Sequence, residues 1–271
     1  MAQIRFSFSQ FPLALALKLT LLTGCFLLLQ VPQVVLAQGI PRRWQARQYK
    51  PPIGIGAPAR TEGGGTRSGN GYCSGMGKRL TALIPNSQFG VTVAAYPKFF
   101  VYVPALSPQA LPPAAEFRLE DKGGNAVYKS IFKTIGKSGI VTLSLPAQGG
   151  VSPLKMGQDY KWSFSIICQP DERSQDITVE GWVRRIPLNP TLNNQLKQAL
   201  PQQQVELYAE GEIWQDALAT LVQLRRDYPN NAAIKANWEK LLSAAGLNNL
   251  TQESFVTIPT TPGSQFTSSQ S

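Results

Sequence analysis

The middle of the chain alternates between apolar and polar residues. From Leu80 to Pro187, short segments rich in Val, Ile, Phe, Tyr and Trp follow a period of two and are separated by turn residues such as Pro85-Asn86 and Gly123-Gly124. These segments are LTALI, FGVTVAAY, KFFVYVP, AEFRLED, NAVYKSIFKT, GIVTLSL, YKWSFSIIC and ITVEGWVRRI. Seven or eight strands at this spacing, with no helical pattern between them, predict an antiparallel β-sandwich over residues 80–187.

One turn in this region has a spacing known from sandwich domains. Leu154, Gly157 and Tyr160 form the pattern Leu-x-x-Gly-x-x-Tyr directly before a strand. The pattern resembles the tyrosine corner of immunoglobulin-like and fibronectin-like domains, in which the hydroxyl bonds back to the turn. Alternation then places Trp162 and Phe164 on the core face of the following strand.

After Pro190 the hydrophobic period changes to that of a helix. Trp214, Ala217, Leu218, Leu221 and either Leu224 or Arg225 recur every three or four residues, so they predict one buried helix face. A further helix covers residues 233–245. Before these, residues 192–209 form one helix or two, because Pro201 must kink or restart it. The fold class is therefore α+β: a sandwich followed by helices over residues 191–247.

Three helical positions have the spacing of a tetratricopeptide repeat. Tyr208, Ala217 and Pro229 match a tyrosine on the first helix, a small residue where the helices touch and a terminating proline. Gly211 lies one position too early for the usual turn. A single degenerate repeat favours a helical cap on the sandwich, although a peptide-binding groove is an alternative. Residues 248–271 are polar and predict a disordered tail.

The N-terminus has the composition of a secretory signal. Leu19 to Leu29 is apolar and too short to span a bilayer, and small residues at Val35 and Ala37 predict cleavage after Ala37. Residues 1–37 are thus a signal peptide and Gln38 is the first mature residue. Two alternatives remain: an uncleaved anchor, or a lipoprotein lipidated on Cys25, although apolar sequence continues beyond that cysteine.

Charge is concentrated directly after this segment. Residues 38–79 carry eight basic residues and one acidic residue, a balance of +7, whereas residues 80–271 carry sixteen and fifteen, a balance of +1. The eight are Arg42, Arg43, Arg47, Lys50, Arg60, Arg67, Lys78 and Arg79. We call residues 38–79 the basic arm and expect it to contact an envelope protein or an anionic surface, such as lipid headgroups or an acidic glycan.

Two cysteines remain once the signal is removed. Cys73 lies in the arm and Cys168 ends a predicted strand. An even number of cysteines in an exported protein favours one disulfide, while two buried thiols are the alternative. The glycines around Cys73 allow the backbone to turn in towards the sheet edge.

The stretch GNGYCSGMGKR only superficially resembles a phosphate-binding loop. A Walker motif ending at Gly77-Lys78 requires glycine at position 72, which is Tyr72, and a hydroxyl residue at position 79, which is Arg79. The chain also contains no histidine, which removes the commonest general base and metal ligand. The sequence therefore predicts no catalytic residues, no cofactor and no metal, and no nucleic-acid partner.

Several stretches together resemble a known family. These are APARTEGGGTR, LTALIP, FFVYVP, AEFRLED, SFSIIC, VEGWVRRI and ELYAEGEIWQDALATLVQLRRDYPN. They are similar to an exported cyanobacterial family, domain of unknown function 928, over about residues 50–247. The resemblance implies an exported protein of β and helical parts, and it implies no catalytic residues.

Two functions are compatible with these patterns. We expect a non-enzymatic periplasmic or envelope adaptor that binds through its basic arm. The alternative is a carbohydrate- or wall-binding module, with or without hydrolytic activity, whose candidate aromatic platform consists of Tyr96, Phe99, Tyr102 and Trp182.

Overall fold

The computed structural model describes Cys73 and residues 78–105, 114–133, 136–148 and 151–257. The predicted signal peptide, the lipidation alternative at Cys25, most of the basic arm and the end of the tail lie outside these residues. The described strands are β1 Thr81–Ala82, β2 Phe89–Thr92, β3 Lys98–Val103, β4 Ala114–Asp121, β5 Ala126–Lys133, β6 Gly139–Ser144, β7 Asp159–Ile166, β8 Ile177–Arg185 and β9 Phe255–Val256. The described helices are α1 Pro190–Gln198, α2 Pro201–Glu210, α3 Trp214–Asp227 and α4 Ala232–Ala244.

These strands form two sheets. The four-stranded sheet has the order β1-β3-β6-β9, and the five-stranded sheet has the order β2-β8-β7-β4-β5. The pairs β2–β8 and β6–β9 are parallel, and the remaining described pairs are antiparallel. The sheets are therefore mixed, which differs from the purely antiparallel arrangement that the sequence predicts. Both parallel pairs involve short strands of two to four residues at a sheet edge.

The inner faces of the two sheets enclose one hydrophobic core. Strand β7 shows how alternation builds it, because Trp162, Phe164 and Ile166 are buried while Ser163 and Ser165 between them are partly exposed. The core residues of the four-stranded sheet include Phe99, Val101, Val141 and Leu143, and those of the five-stranded sheet include Phe117, Leu119, Trp162, Phe164 and Val179. The predicted register of β7 agrees with this arrangement.

Helices cover the outer face of the four-stranded sheet. Leu83, Phe100, Tyr102 and Ile140 belong to a second hydrophobic cluster that they share with residues of α3 and α4. The predicted apolar face of α3 is buried: Trp214, Ala217, Leu218, Leu221 and Leu224 are each at most 6% exposed. The indole Nε1 of Trp214 also donates a hydrogen bond to the carbonyl of Leu83, at 3.1 Å. The helical segment is thus packed on the outer face of the four-stranded sheet.

Prolines and an asparagine set the helix boundaries. The side chain of Asn189 accepts a hydrogen bond from the amide of Thr191, and Pro190 begins α1. Pro201 begins α2, so residues 190–210 form two helices. Proline suits the first turn of a helix because its missing N–H has no partner there.

The C-terminal segment differs from the sequence interpretation. The sequence predicts a disordered tail over residues 248–271, but Asn248–Leu250 form a 3-10 helix and Phe255 and Val256 pair with Ile140 and Val141 of β6. The ring of Phe255 packs edge-on against Trp238, with 5.5 Å between ring centroids. The ring contact of Phe255 and the two residue pairs between β9 and β6 order this segment. Its polar composition alone does not predict a strand.

Candidate functional site at the base of the basic arm

The basic arm is joined to the sandwich by a disulfide. Cys73 and Cys168 are bonded, with 5.5 Å between their Cα atoms, as the sequence favours. Cys168 is 3% exposed and lies just beyond the end of β7, while Cys73 is partly buried against the sandwich core. The part of the arm that precedes Cys73 is therefore attached at the end of the five-stranded sheet that carries the turn between β7 and β8.

A second contact holds the arm five residues later. The ammonium group of Lys78 forms an ion pair with Glu253 and donates a hydrogen bond to the carbonyl of Asn249, at 3.1 Å. The hydrogen bond to Glu253 raises the pKa of Lys78. The end of the arm therefore contacts the C-terminal segment as well as the β7–β8 turn.

The turn that carries Cys168 also carries a charged cluster. Arg173 contacts Asp176 at 2.5 Å and Glu116 of β4 at 3.4 Å, and Lys129 of β5 contacts the same Glu116 oxygen at 3.0 Å. The side chains of Glu116 and Asp176 are only 9% and 8% exposed, although Glu116 lies on the outer face of the sheet. The Oδ1 atom of Asp176 is buried and has no hydrogen-bond partner.

The two cations around Glu116 keep it ionised. Burial alone would raise its pKa, but the hydrogen bond and charge of Lys129, together with Arg173, lower the pKa below its ordinary value. No signal in the sequence identifies this cluster, since Glu116 is 57 residues from Arg173 along the chain. Asp171 and Glu172 of the same turn are exposed.

The rest of the outer face of this sheet carries paired charges. Arg184 binds Asp159 through two hydrogen bonds of 2.6 and 2.7 Å, and Lys161 contacts Glu180 at 2.8 Å. Such partly exposed pairs satisfy one another and contribute little net stability. This face therefore offers fewer unsatisfied groups to a ligand than the β7–β8 turn does.

The predicted turn before β7 makes the hydrogen bond that its spacing implies. The hydroxyl of Tyr160 accepts a hydrogen bond from the amide of Lys155, at 2.9 Å, and donates one to Gln158, at 3.2 Å. Leu154 is 1% exposed, and Gly157 has a φ of +74°, a left-handed conformation that glycine adopts readily. Leu154, Gly157 and Tyr160 therefore flank a turn whose backbone is bonded to the Tyr160 hydroxyl.

The repeat-like residues are distributed over α2, α3 and the segment after α3. Ala217 is fully buried, Tyr208 of α2 is partly exposed, and Pro229 follows the end of α3. Gly211 has an ordinary φ of −77°, whereas Glu212 takes the left-handed conformation with a φ of 59°. Because Gly211 lies one position too early, the left-handed conformation of this turn is taken by Glu212, which is not a glycine.

The predicted aromatic platform for a glycan is not formed. Phe99 is fully buried and Tyr102 is 3% exposed. Strand β3 is central in its sheet, with the sandwich core on one side and the helices on the other, so both alternating sets of its side chains are covered. Tyr96 is partly buried and donates a hydrogen bond to the carbonyl of Val151, at 3.2 Å. Trp182, also partly buried, is the remaining candidate of the four.

A second acidic residue that the sequence does not identify joins the helices to the sandwich. The Oδ2 atom of Asp216, in the first turn of α3, accepts hydrogen bonds from the hydroxyl of Thr92, at 2.8 Å, and from the amide of Val93, at 3.1 Å. Burial raises the pKa of Asp216, and these hydrogen bonds only partly oppose that effect. Tyr208 lies near enough for the charge of Asp216 to add to the effect of burial in raising its pKa.

Replacing Asp216 by asparagine is expected to stabilise the protein near neutral pH, because burial raises the pKa of Asp216 and the folded state therefore disfavours its ionised form. Asparagine keeps an acceptor for Thr92 without the cost of a buried charge. Because the folded state holds its proton to higher pH, the contribution of Asp216 to stability falls as pH rises from its unfolded pKa through its folded pKa.

The free energies of unfolding of the native protein and of Asp216→Asn should therefore converge below about pH 4 and separate above it. Urea titrations of both proteins at several pH values measure this difference. The titration of all other groups contributes equally to the two free energies and therefore cancels. A constant gap across the pH range would contradict the prediction.

No group of three or more metal-ligating residues is found in the part of the chain that the structure describes. Its helices are all too short or too polar to cross a membrane.

Comparison with known proteins places the chain in a family without identifying a function. Residues 62–255 match the family described as Domain of Unknown Function (DUF928). No curated protein sequence matches the chain. Among solved structures, it is similar to the β-glucuronidase from Ruminococcus gnavus in complex with D-glucuronic acid, with 12% identity and a TM-score of 0.20. The match covers 56% of this chain and spans a third of that enzyme chain, 33%.

Proposed function

This chain belongs to the DUF928 family, and we propose that it is an exported, non-enzymatic adaptor of the cell envelope that binds an anionic surface through its basic arm. The observation that carries this proposal is the disulfide between Cys73 and Cys168. It attaches a segment with a balance of +7 to a folded part with a balance of +1. The separation of charge from the folded body favours a role for the arm in binding.

Export is supported by two independent features. Disulfides persist mainly in oxidising compartments, outside the cytoplasm. The apolar segment that ends at Ala37 has the composition of a cleaved signal. The proposed location is therefore periplasmic or envelope-associated.

The non-enzymatic part of the proposal is supported by the roles of the acidic residues. Glu116 is neutralised by Lys129 and Arg173, and Asp216 bonds to Thr92 and Val93. The pKa of Glu206 is raised by burial and by Glu210, one helical turn further along α2. None of these arrangements pairs a carboxylate acid with a carboxylate base across a cleft, which glycoside hydrolysis requires.

We also infer the finer fold assignments. The hydrogen bond between Tyr160 and Lys155 supports an immunoglobulin-like or fibronectin-like sandwich. The full burial of Ala217 in α3 supports a hairpin of α2 and α3 related to a tetratricopeptide repeat. Buried residues of α2, α3 and α4 share one hydrophobic cluster with the four-stranded sheet. The hairpin and the helix after it therefore serve as a cap on this sheet.

The proposal is tested by binding of the chain that begins at Gln38 to vesicles of phosphatidylglycerol and of phosphatidylcholine. Each basic residue near an anionic membrane contributes about 1 kcal/mol. Replacing Arg42, Arg43, Arg47 and Lys50 by glutamine is therefore expected to weaken binding to the anionic vesicles by at least about tenfold. Binding should also weaken as salt is raised, because exposed charges are screened.

The matched control removes the same charge from the folded part. Lys122, Lys133, Lys137 and Lys235 are all exposed, and their replacement by glutamine should leave binding nearly unchanged. A soluble acidic polysaccharide in parallel distinguishes a glycan from a lipid surface as the source of negative charge. Equal losses in the two variants, or no binding of the native chain to either polyanion, would refute a role for the arm.

A further inference from the structure

Strand β9 occupies a groove at one edge of the four-stranded sheet. Its two residues, Phe255 and Val256, run parallel to β6, and the amide of Ile140 donates a hydrogen bond to the carbonyl of Ser254, at 2.7 Å. We call residues 252–257 the C-terminal strap. Addition of an extended segment to a sheet edge, with backbone hydrogen bonds and pockets for its side chains, is a common mode of peptide recognition.

The groove has a pocket for the aromatic ring of the strap. The ring of Phe255 packs edge-on against Trp238 of α4, and the guanidinium carbon of Arg226 of α3 lies 5.3 Å from the centroid of the same ring. Arg226 also donates a hydrogen bond of 2.9 Å to the hydroxyl of Thr142. Edge-to-face ring contacts and cation–π contacts both favour an aromatic over an aliphatic side chain in this pocket.

The positions on either side of Phe255 are also specified. A Cβ atom on Gly139 would lie only 2.6 Å from the side chain of Val256, so the glycine leaves the room that a β-branched residue fills. Two residues before Phe255, Glu253 pairs with Lys78. The groove therefore fits an acidic residue, a residue of any type, an aromatic residue and a β-branched residue, in that order.

The strap is attached less firmly than the chain that precedes it. Leu250 is fully buried, and the indole Nε1 of Trp238 donates a hydrogen bond to the carbonyl of Thr251, at 3.0 Å. By contrast, none of residues 252–257 is buried. Segments with few buried contacts open with much less free energy than global unfolding requires. The strap can therefore leave the groove while Thr251 stays in place.

We propose that this groove is a binding site for an extended segment of a partner protein with the order acidic, any, aromatic, β-branched, and that the C-terminal strap occupies the site as an internal competitor. The strap itself identifies this chemistry, since Glu253, Phe255 and Val256 each contact a different part of the groove. Because the strap is tethered, its effective concentration is of the order of millimolar, so a partner segment binds by displacing it.

Binding of a synthetic peptide to the full chain, measured by fluorescence anisotropy, tests the site. The labelled peptide TQESFVT has the sequence of residues 251–257. The variant Phe255→Ala keeps the groove but removes the ring that holds the strap. We expect it to bind the peptide at least about tenfold more tightly than the native chain, in which the groove is open in only a small fraction of molecules. A peptide with alanine in place of phenylalanine should bind neither protein.

Further variants separate the groove from the rest of the surface. Tyr228→Ala is the matched control, because it removes an aromatic side chain that is 57% exposed beyond the end of α3, and it should bind the peptide no better than the native chain does. Added to Phe255→Ala, Gly139→Ala should abolish binding. Arg226→Gln, which replaces an exposed residue, should weaken binding to Phe255→Ala about threefold.

Equal binding of the peptide by the native chain and by Phe255→Ala, or binding by neither, would overturn the site. Unchanged binding in both groove variants, Gly139→Ala and Arg226→Gln, would do the same. A second copy of the chain is the alternative occupant. A native dimer in analytical ultracentrifugation that Phe255→Ala abolishes would mean that the strap exchanges between copies, and would overturn a partner protein as the occupant.

Discussion

Replacing Trp162 by alanine is expected to destabilise the protein by about 3–5 kcal/mol, as large-to-small changes of core aromatic residues do. Trp162 is 1% exposed, and its ring lies 5.3 Å from that of Phe99 and 6.4 Å from that of Phe117. Gly181 faces it on β8, and a Cβ atom at that position would lie only 2.9 Å from the indole. The indole therefore fills a space that the neighbouring glycine leaves, and alanine would leave a cavity there.

Urea unfolding of Trp162→Ala, Trp162→Phe and Ser163→Ala measures this contribution. The Nε1 atom of Trp162 has no hydrogen-bond partner, so phenylalanine should lose less than half as much stability as alanine. Ser163 is on the outer face of the same strand, and its replacement should change stability by no more than about 0.5 kcal/mol. A midpoint for Trp162→Ala within error of the native value would mean that this strand face is not the core.

Removing the disulfide is the second change with a large expected effect. Cys73 and Cys168 are 95 residues apart, and the chain-entropy model assigns a closed loop of this size about 4 kcal/mol or more. The double variant Cys73→Ser with Cys168→Ser should lose about this amount of stability. It should keep its secondary structure, because both hydrophobic clusters consist almost entirely of residues outside the bond.

Denaturant unfolding of the oxidised, reduced and doubly substituted proteins gives the measurement, with circular dichroism to check the fold. The reduced protein should match the doubly substituted one. Alkylation of the unreduced, denatured protein should label neither Cys73 nor Cys168. Coincident unfolding curves for the oxidised and reduced proteins would contradict the expected stabilisation.

The sequence predicts elements well where a single periodicity decides the burial of each residue. Alternation in β7 places Trp162 in the core, and the helical period places Leu218 and Leu221 on the buried face of α3. Burial in β3 is different, since Phe99 and Tyr102 are both covered although they lie on opposite faces. Whether a strand has a layer on one side or on both depends on the packing of distant helices, which local periodicity does not encode.

The candidate site is predictable only in part for the same reason. Two cysteines in a chain with a signal-like N-terminus predict the disulfide. The contact of Arg173 with Glu116 depends instead on the pairing of β4 with β7, which brings Glu116 opposite Ser165. A buried carboxylate in an alternating strand has the sequence pattern of an ordinary exposed residue, so only the assembled sheet identifies it.

The position of β9 has a consequence for the order in which the protein folds. Phe255 and Val256 pair with β6, and Lys78 pairs with Glu253, 175 residues further along the chain. These contacts form only after almost the whole described chain has been synthesised. Contacts of such long sequence separation also slow folding, because loop closure must precede the gain from pairing. The nascent chain therefore lacks this edge of the four-stranded sheet until residues 253–256 have been synthesised, so the sheet is completed only late in folding.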